Sequence, residues 1–158
     1  MINDRQLERV ERIVAETTAA GARILAGGTR DGRYYPATVL DAVAPDTPAF
    51  TEEIFGPVAP ITTFAADEEA IELANRTDYG LVAAIQTGNP ARGLALARRL
   101  HAGMIHINDQ TIADEPNAPL GGVGASGNGG RFGSMAEWDE FTQWQWVTIR
   151  DTPKTYPF

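Results

Sequence analysis

Leu81-Val82-Ala83-Ala84-Ile85-Gln86-Thr87, followed by Gly88-Asn89-Pro90 and, further on, by Gly103-Met104-Ile105-His106-Ile107, decides the class of this fold. Both apolar runs are short and bounded by glycine, as buried strands are. Between them Asn89 offers a side-chain cap and Pro90 a preset first helical residue. A helix is therefore predicted from Pro90 to about Leu100, with Gly103 as its stop. Strand, helix and strand in this order make a βαβ unit with parallel strands and a right-handed crossover. The fold class is α/β.

Upstream, Leu7, Val10, Ile13 and Val14 recur at helical spacing between Asp4 and about Ala20, while Arg5, Glu8, Arg9, Glu11, Arg12 and Glu16 cover the other side. This reads as an amphipathic helix capped by Asn3 or Asp4 and stopped by Gly21, its charges a solvated face with a Glu8–Arg12 pair at i,i+4. Arg23 to Ala26, Ala37 to Leu40 and Val58 to Phe64 read as strands, the first two joined through Gly27-Gly28 and Asp31-Gly32. Asp67-Glu68-Glu69 suits the positive end of a helix that turns Ile71, Leu73 and Ala74 inward. From Asn108 to Arg131 the chain is rich in Gly, Pro and Asn, the mark of a long loop that is functional or packed on a neighbour. Phe141 to Arg150 alternates Trp144, Trp146 and Thr148 with Gln145, Val147 and Ile149, a strand apolar on both faces that wants a partner sheet. The expected division is a domain over 1–140 and a C-terminal strand and tail over 141–158.

At 158 residues, the main body should bury about two thirds of its unfolded surface. A net charge of -8 supplies no basic face, so neither nucleic acid nor an anionic membrane is expected as partner. No apolar run spans a bilayer and Met1-Ile2-Asn3-Asp4-Arg5 lacks a signal-peptide core, so the expected location is cytoplasmic. Zero cysteines exclude disulfides, thiolate metal sites and a cysteine nucleophile within these residues.

Few motifs demand chemistry by themselves. Gly122-Val123-Gly124-Ala125-Ser126-Gly127 has the spacing of a dinucleotide loop, but it follows prolines and glycines and leads into Asn128-Gly129-Gly130. An ordered glycine loop is expected. His101 and His106 are too few and too isolated for a metal site, and none is expected; His106 on a buried strand reads as a hydrogen-bonded structural residue. Asn75-Arg76-Thr77 fits a glycosylation sequon without a secretory signal and reads as accidental. Glu52 and Glu53, adjacent in an extended segment, should point to opposite sides, and Gly56-Pro57 should hold one glutamate and Phe55 rigidly. A carboxylate beside a rigid aromatic could receive a ribose and a nicotinamide ring, or the segment could be a surface turn. Asp109, Asp114 and Glu115 read as turn chemistry.

Phe50 to Pro60, with Glu53-Ile54-Phe55-Gly56-Pro57 inside it, Asn75 to Gly88, Gly103 to Asp109, and Pro119-Leu120-Gly121-Gly122 through Gly127 resemble, in order, the last third of NAD(P)-dependent aldehyde dehydrogenases. His106-Ile107-Asn108-Asp109-Gln110-Thr111, Asp114-Glu115-Pro116, Ala125-Ser126-Gly127-Asn128-Gly129 and Glu140-Phe141-Thr142-Gln143-Trp144-Gln145-Trp146-Val147-Thr148 are most similar to the benzaldehyde and vanillin dehydrogenase branch. The resemblance implies a partial catalytic domain, an aromatic aldehyde as substrate, and NAD or NADP as cofactor. It makes Glu53 the glutamate on the nicotinamide ribose, Phe55 the aromatic against the nicotinamide, and Leu120 a substrate-pocket residue where many members carry phenylalanine. The C-terminal strand would complete an intersubunit sheet, implying a homo-oligomer.

In that family a cysteine attacks the aldehyde, an asparagine stabilises the oxyanion, a glutamate activates water and an N-terminal domain binds the dinucleotide. All would lie before residue 1. The chain is thus expected to be inactive alone, and the resemblance does not imply that it binds the cofactor unaided. Two further readings stand beside this one. One is an assembly module that pairs with a complete aldehyde dehydrogenase through the C-terminal strand; the other is a fold re-employed for acid/base chemistry at Glu53, Asp114, Glu115 or His106.

Overall fold

The computed structural model describes residues 1–113 and 115–157. Helix α1 (Asp4–Ala19) is capped by Asn3, whose side chain accepts from the Gln6 amide at 2.8 Å. Strands β1 (Arg23–Ala26) and β2 (Thr38–Asp41) follow, then the single turn α2 (Pro48–Thr51) and strand β3 (Val58–Pro60). β1 pairs antiparallel with β2, and β2 pairs parallel with β3 in the register Thr38 to Val58. Leu7, Val10, Ile13 and Val14 of α1 pack with Tyr35, Leu40, Val43 and Ala49 to make the fully buried core. Thr17 is buried among them, and its hydroxyl accepts from the Ala49 amide at 3.0 Å, tying α1 to α2.

The rest of the chain is thinner. Helix α3 (Asp67–Ala74), strand β4 (Tyr79–Gly80), strand β5 (Val82–Ile85), helix α4 (Pro90–Ala97) and strand β6 (Met104–Ile107) come next. β5 and β6 pair in parallel from Val82–Met104 to Ile85–Ile107 with α4 between them in sequence. Asn89 caps α4, accepting from the amides of Ala91 and Arg92 at 3.1 and 3.2 Å. The short strand β7 (Val123–Gly124) pairs antiparallel with β4, and α5 (Ala136–Phe141) ends the regular structure.

Several sequence expectations are corrected. The strand expected over Val58 to Phe64 stops at Pro60, because its partner β2 ends at Asp41 and the next residue, Ala42, turns the chain away with a φ of 55°. α4 ends at Ala97 because Arg99 and Leu100 bond three residues back, tightening the last turn. Arg12 pairs with Glu16 at 2.9 Å and not with Glu8. No residue of α3 is fully buried: Ile71 faces an apolar groove of about 400 Å³ shared with Ala84, Leu96 and Leu100. Arg92 spans the groove's end, donating from Nε to Asp67 at 2.8 Å. Two short helices, α2 and α5, went unforeseen.

The C-terminal strand is the largest correction. Phe141 closes α5, and residues 142–150 join no ladder among the described residues. Trp144 is 97% and Trp146 91% exposed. The alternation that predicts a strand cannot form one without a neighbouring strand, because an isolated extended segment has no partner for its amides. The accessible surface is 11336 Å², against about 7,700 Å² for a compact chain of this mass. Roughly half of the unfolded surface is buried, less than the two thirds expected.

Candidate functional site

The segment Glu52 to Pro57 lies along α1, held from several points at once. Gln6 Nε2 donates to the Phe55 carbonyl at 2.7 Å, and Arg9 Nη2 to the Glu53 carbonyl at 3.0 Å. Arg12 Nη2 reaches both oxygens of Glu52, at 2.8 and 3.0 Å. Gly56 lies so close to α1 that a Cβ there would stand 2.7 Å from Val10 Cγ2. Glycine is therefore what permits this approach.

The backbone is extended at Glu52, so the side chains of Glu52 and Glu53 leave on opposite sides. Glu52, Ile54 and Gly56 are half-buried, while Glu53 and Phe55 are exposed. Glu52 and Glu53 do point apart, as adjacency predicts. Arg12 beside Glu52 holds its carboxyl below the usual glutamate range, with Arg9 adding a smaller pull. The Glu53 carboxylate has no hydrogen-bond or ion-pair partner among the described residues, and the Phe55 ring is 63% exposed. Glu53 borders a groove of about 260 Å³ with Asn75, Thr77, Tyr79, His101 and Ser126.

The polar residues of that groove have structural duties. Asn75, first residue of the apparent sequon, donates to the Arg99 carbonyl and accepts from the His101 amide, both at 2.8 Å. Ser126 Oγ accepts from the Gly80 amide at 3.1 Å. The GxGxxG segment is therefore a strand and turn laid on β4, and it opens no helix. Gly103 and Gly121 touch so closely that a Cβ on the former would meet the carbonyl oxygen of the latter at 1.8 Å. That contact fixes the path of Pro119 to Gly122.

Leu120 lines a second cavity, of about 420 Å³, with Met104, His106, Asp109 and Glu115. It exchanges two 2.8 Å backbone hydrogen bonds with Phe132, whose ring lies 5.9 Å from that of Phe141. His106 and Glu115 thus meet at one cavity while Glu53 borders another; Asp114 lies outside the described residues. Among the described residues no cluster of three or more His, Cys, Asp or Glu side chains could hold a metal ion.

The model of the aldehyde dehydrogenase family matches residues 1–147. The chain belongs to that family. It is 55% identical over its whole length to the benzaldehyde dehydrogenase [NAD(+)] of Pseudomonas putida and 45% identical to a vanillin dehydrogenase of an Amycolatopsis species. It covers 32% and 33% of those proteins, about a third of their length. Among solved structures, a salicylaldehyde dehydrogenase from Pseudomonas putida G7 complexed with salicylaldehyde superposes on the whole chain with a TM-score of 0.92. It is 35% identical, and 32% of it is covered. The relatives named for aromatic aldehydes thus flank this aldehyde dehydrogenase chain on both counts.

Among residues the sequence reading missed, Gln6, Arg9 and Arg12 matter most. Their spacing of three marks one helix face. Nothing local to α1 tells that this face holds a segment 40 to 49 positions away.

Proposed function

We propose that this chain supplies the cofactor-facing floor and part of the aldehyde pocket of an NAD(P)-dependent aromatic aldehyde dehydrogenase. It corresponds to the last third of such an enzyme and does not oxidise aldehydes by itself. The observation that carries this reading is the outward pair Glu53 and Phe55 on a backbone pinned by α1. An unpartnered carboxylate suits two sugar hydroxyls, and an open aromatic face two residues away suits a planar nicotinamide. When bound, NAD(P) would accept the hydride of aldehyde oxidation. Glu53 would hold the ribose, Phe55 would limit the tilt of the ring, and Leu120 would form an apolar wall for the aryl group. With no cysteine in the chain, the attacking thiolate of the family's chemistry has to come from elsewhere.

The exposed run Trp144 to Ile149 supports a second feature, pairing of this segment as a strand with another copy or with a complete aldehyde dehydrogenase. No described helix is long and apolar enough to cross a membrane.

The test is a chimera in which residues 1–158 replace the matching third of the Pseudomonas putida relative. The chimera is expected to reduce NAD with benzaldehyde, and the chain alone to give no NADH. Glu53→Gln in the chimera should cost about tenfold or more in kcat/KM for NAD. A chimera that folds and turns over with Glu53→Gln unaffected would refute the assignment, and turnover by the chain alone would refute its dependence on other residues.

A further inference from the structure

We infer that Arg12 and Glu52 are positioning residues for the cofactor-facing segment: their ion pair sets the direction in which Glu53 and Phe55 leave the surface. The inference rests on the reading of Glu53 as a ribose-binding carboxylate.

Four positions of α1 meet the segment along one face. Gln6 holds the Phe55 carbonyl, Arg9 the Glu53 carbonyl and Arg12 the Glu52 carboxylate, while Val10 abuts Gly56. Arg12 makes the close, two-oxygen grip on a side chain, and that side chain neighbours Glu53. In an extended backbone the directions of adjacent side chains are linked, so turning Glu52 inward turns Glu53 outward. Arg12 is itself fixed, since its other terminal nitrogen donates to Glu16 at 2.9 Å, and Arg9 adds a second cation 3.6 Å from Glu52. A guanidinium already held by one carboxylate loses less freedom on meeting the next.

Exposed ion pairs of this kind add little to folding stability. The consequence of this one lies in geometry, where a displacement of about 1 Å at a binding group can cost as much as a hundredfold in rate. Loss of the pair should therefore leave the fold in place and loosen the segment.

The first measurement is amide hydrogen exchange on the full chain. Arg12→Ala and Glu52→Ala should each speed exchange of the backbone amides over 52–58 by about fivefold or more. Exchange at Val10, Ile13 and Leu40 should be unchanged, and Arg12→Lys should recover part of the protection. Unchanged exchange over 52–58 in both alanine variants overturns the inference. In the chimera described above, Arg12→Ala should raise the KM for NAD about fivefold with kcat within about twofold. If Glu53→Gln impairs NAD use while Arg12→Ala leaves KM at its parent value, the positioning role is refuted and the ribose reading survives. If Glu53→Gln has no effect, the ribose reading fails and takes the cofactor role of the pair with it.

Discussion

Gly56 shows how one missing methyl group sets a site. With Val10 Cγ2 only 2.7 Å from where a Cβ would be, Gly56→Ala must push the segment off α1. The expected cost is about 1–3 kcal/mol in chemical denaturation, read as a lower midpoint at unchanged slope. Glu52 gives a pH signature. Arg12 lowers its folded-state pKa below the ordinary 4.5, so its contribution is fully present above that value and disappears as pH falls through the lower folded value. Stability curves of the parent and Glu52→Gln should thus differ by no more than about 1 kcal/mol at pH 7, as for an exposed ion pair, and converge in acid. A difference that persists at pH 2 would show that the amide perturbs more than the charge.

At the scale of elements, caps and exposed faces separate what holds from what waits. Asn89 satisfies two orphan amides of α4, so Asn89→Ala should destabilise the β5–α4–β6 unit by about 1 kcal/mol, measured as faster exchange in α4. The segment after α5 makes the opposite kind of statement. Its indoles are almost wholly exposed, and such a surface drives association. Trp144→Ser with Trp146→Ser should shift the chain toward smaller species in sedimentation while leaving the α1 core's unfolding midpoint within about 0.5 kcal/mol of the parent. Equal sedimentation of the two proteins would remove this segment from the assembly.

For the whole molecule, the fully buried hydrophobic side chains among the described residues fall between Leu7 and Ala49, and the accessible surface far exceeds that of a compact chain of equal mass. Stability should be distributed accordingly. Amides of α1 and β2 are expected to exchange at least about a hundredfold more slowly than those of β5 and β6, because the latter pair carries no fully buried side chain. Uniform protection along the chain would show that the two parts unfold as one unit.

The sequence by itself determined the local elements: α1, the capped α4, the parallel strands around it, and the opposed directions of Glu52 and Glu53. Each follows from periodicity, a cap or backbone alternation, which act over a few residues. Resemblance added the family and the candidate roles of Glu53, Phe55 and Leu120. Tertiary structure alone decided that Gln6, Arg9 and Arg12 grip residues 52–55, that Asn75 clamps the end of α4, and that Leu120 meets His106 across a cavity while Glu53 borders another. It also left Trp144 and Trp146 unpaired, since a strand exists only beside another strand. These are contacts between distant positions, and no local pattern encodes which partner a polar side chain will find.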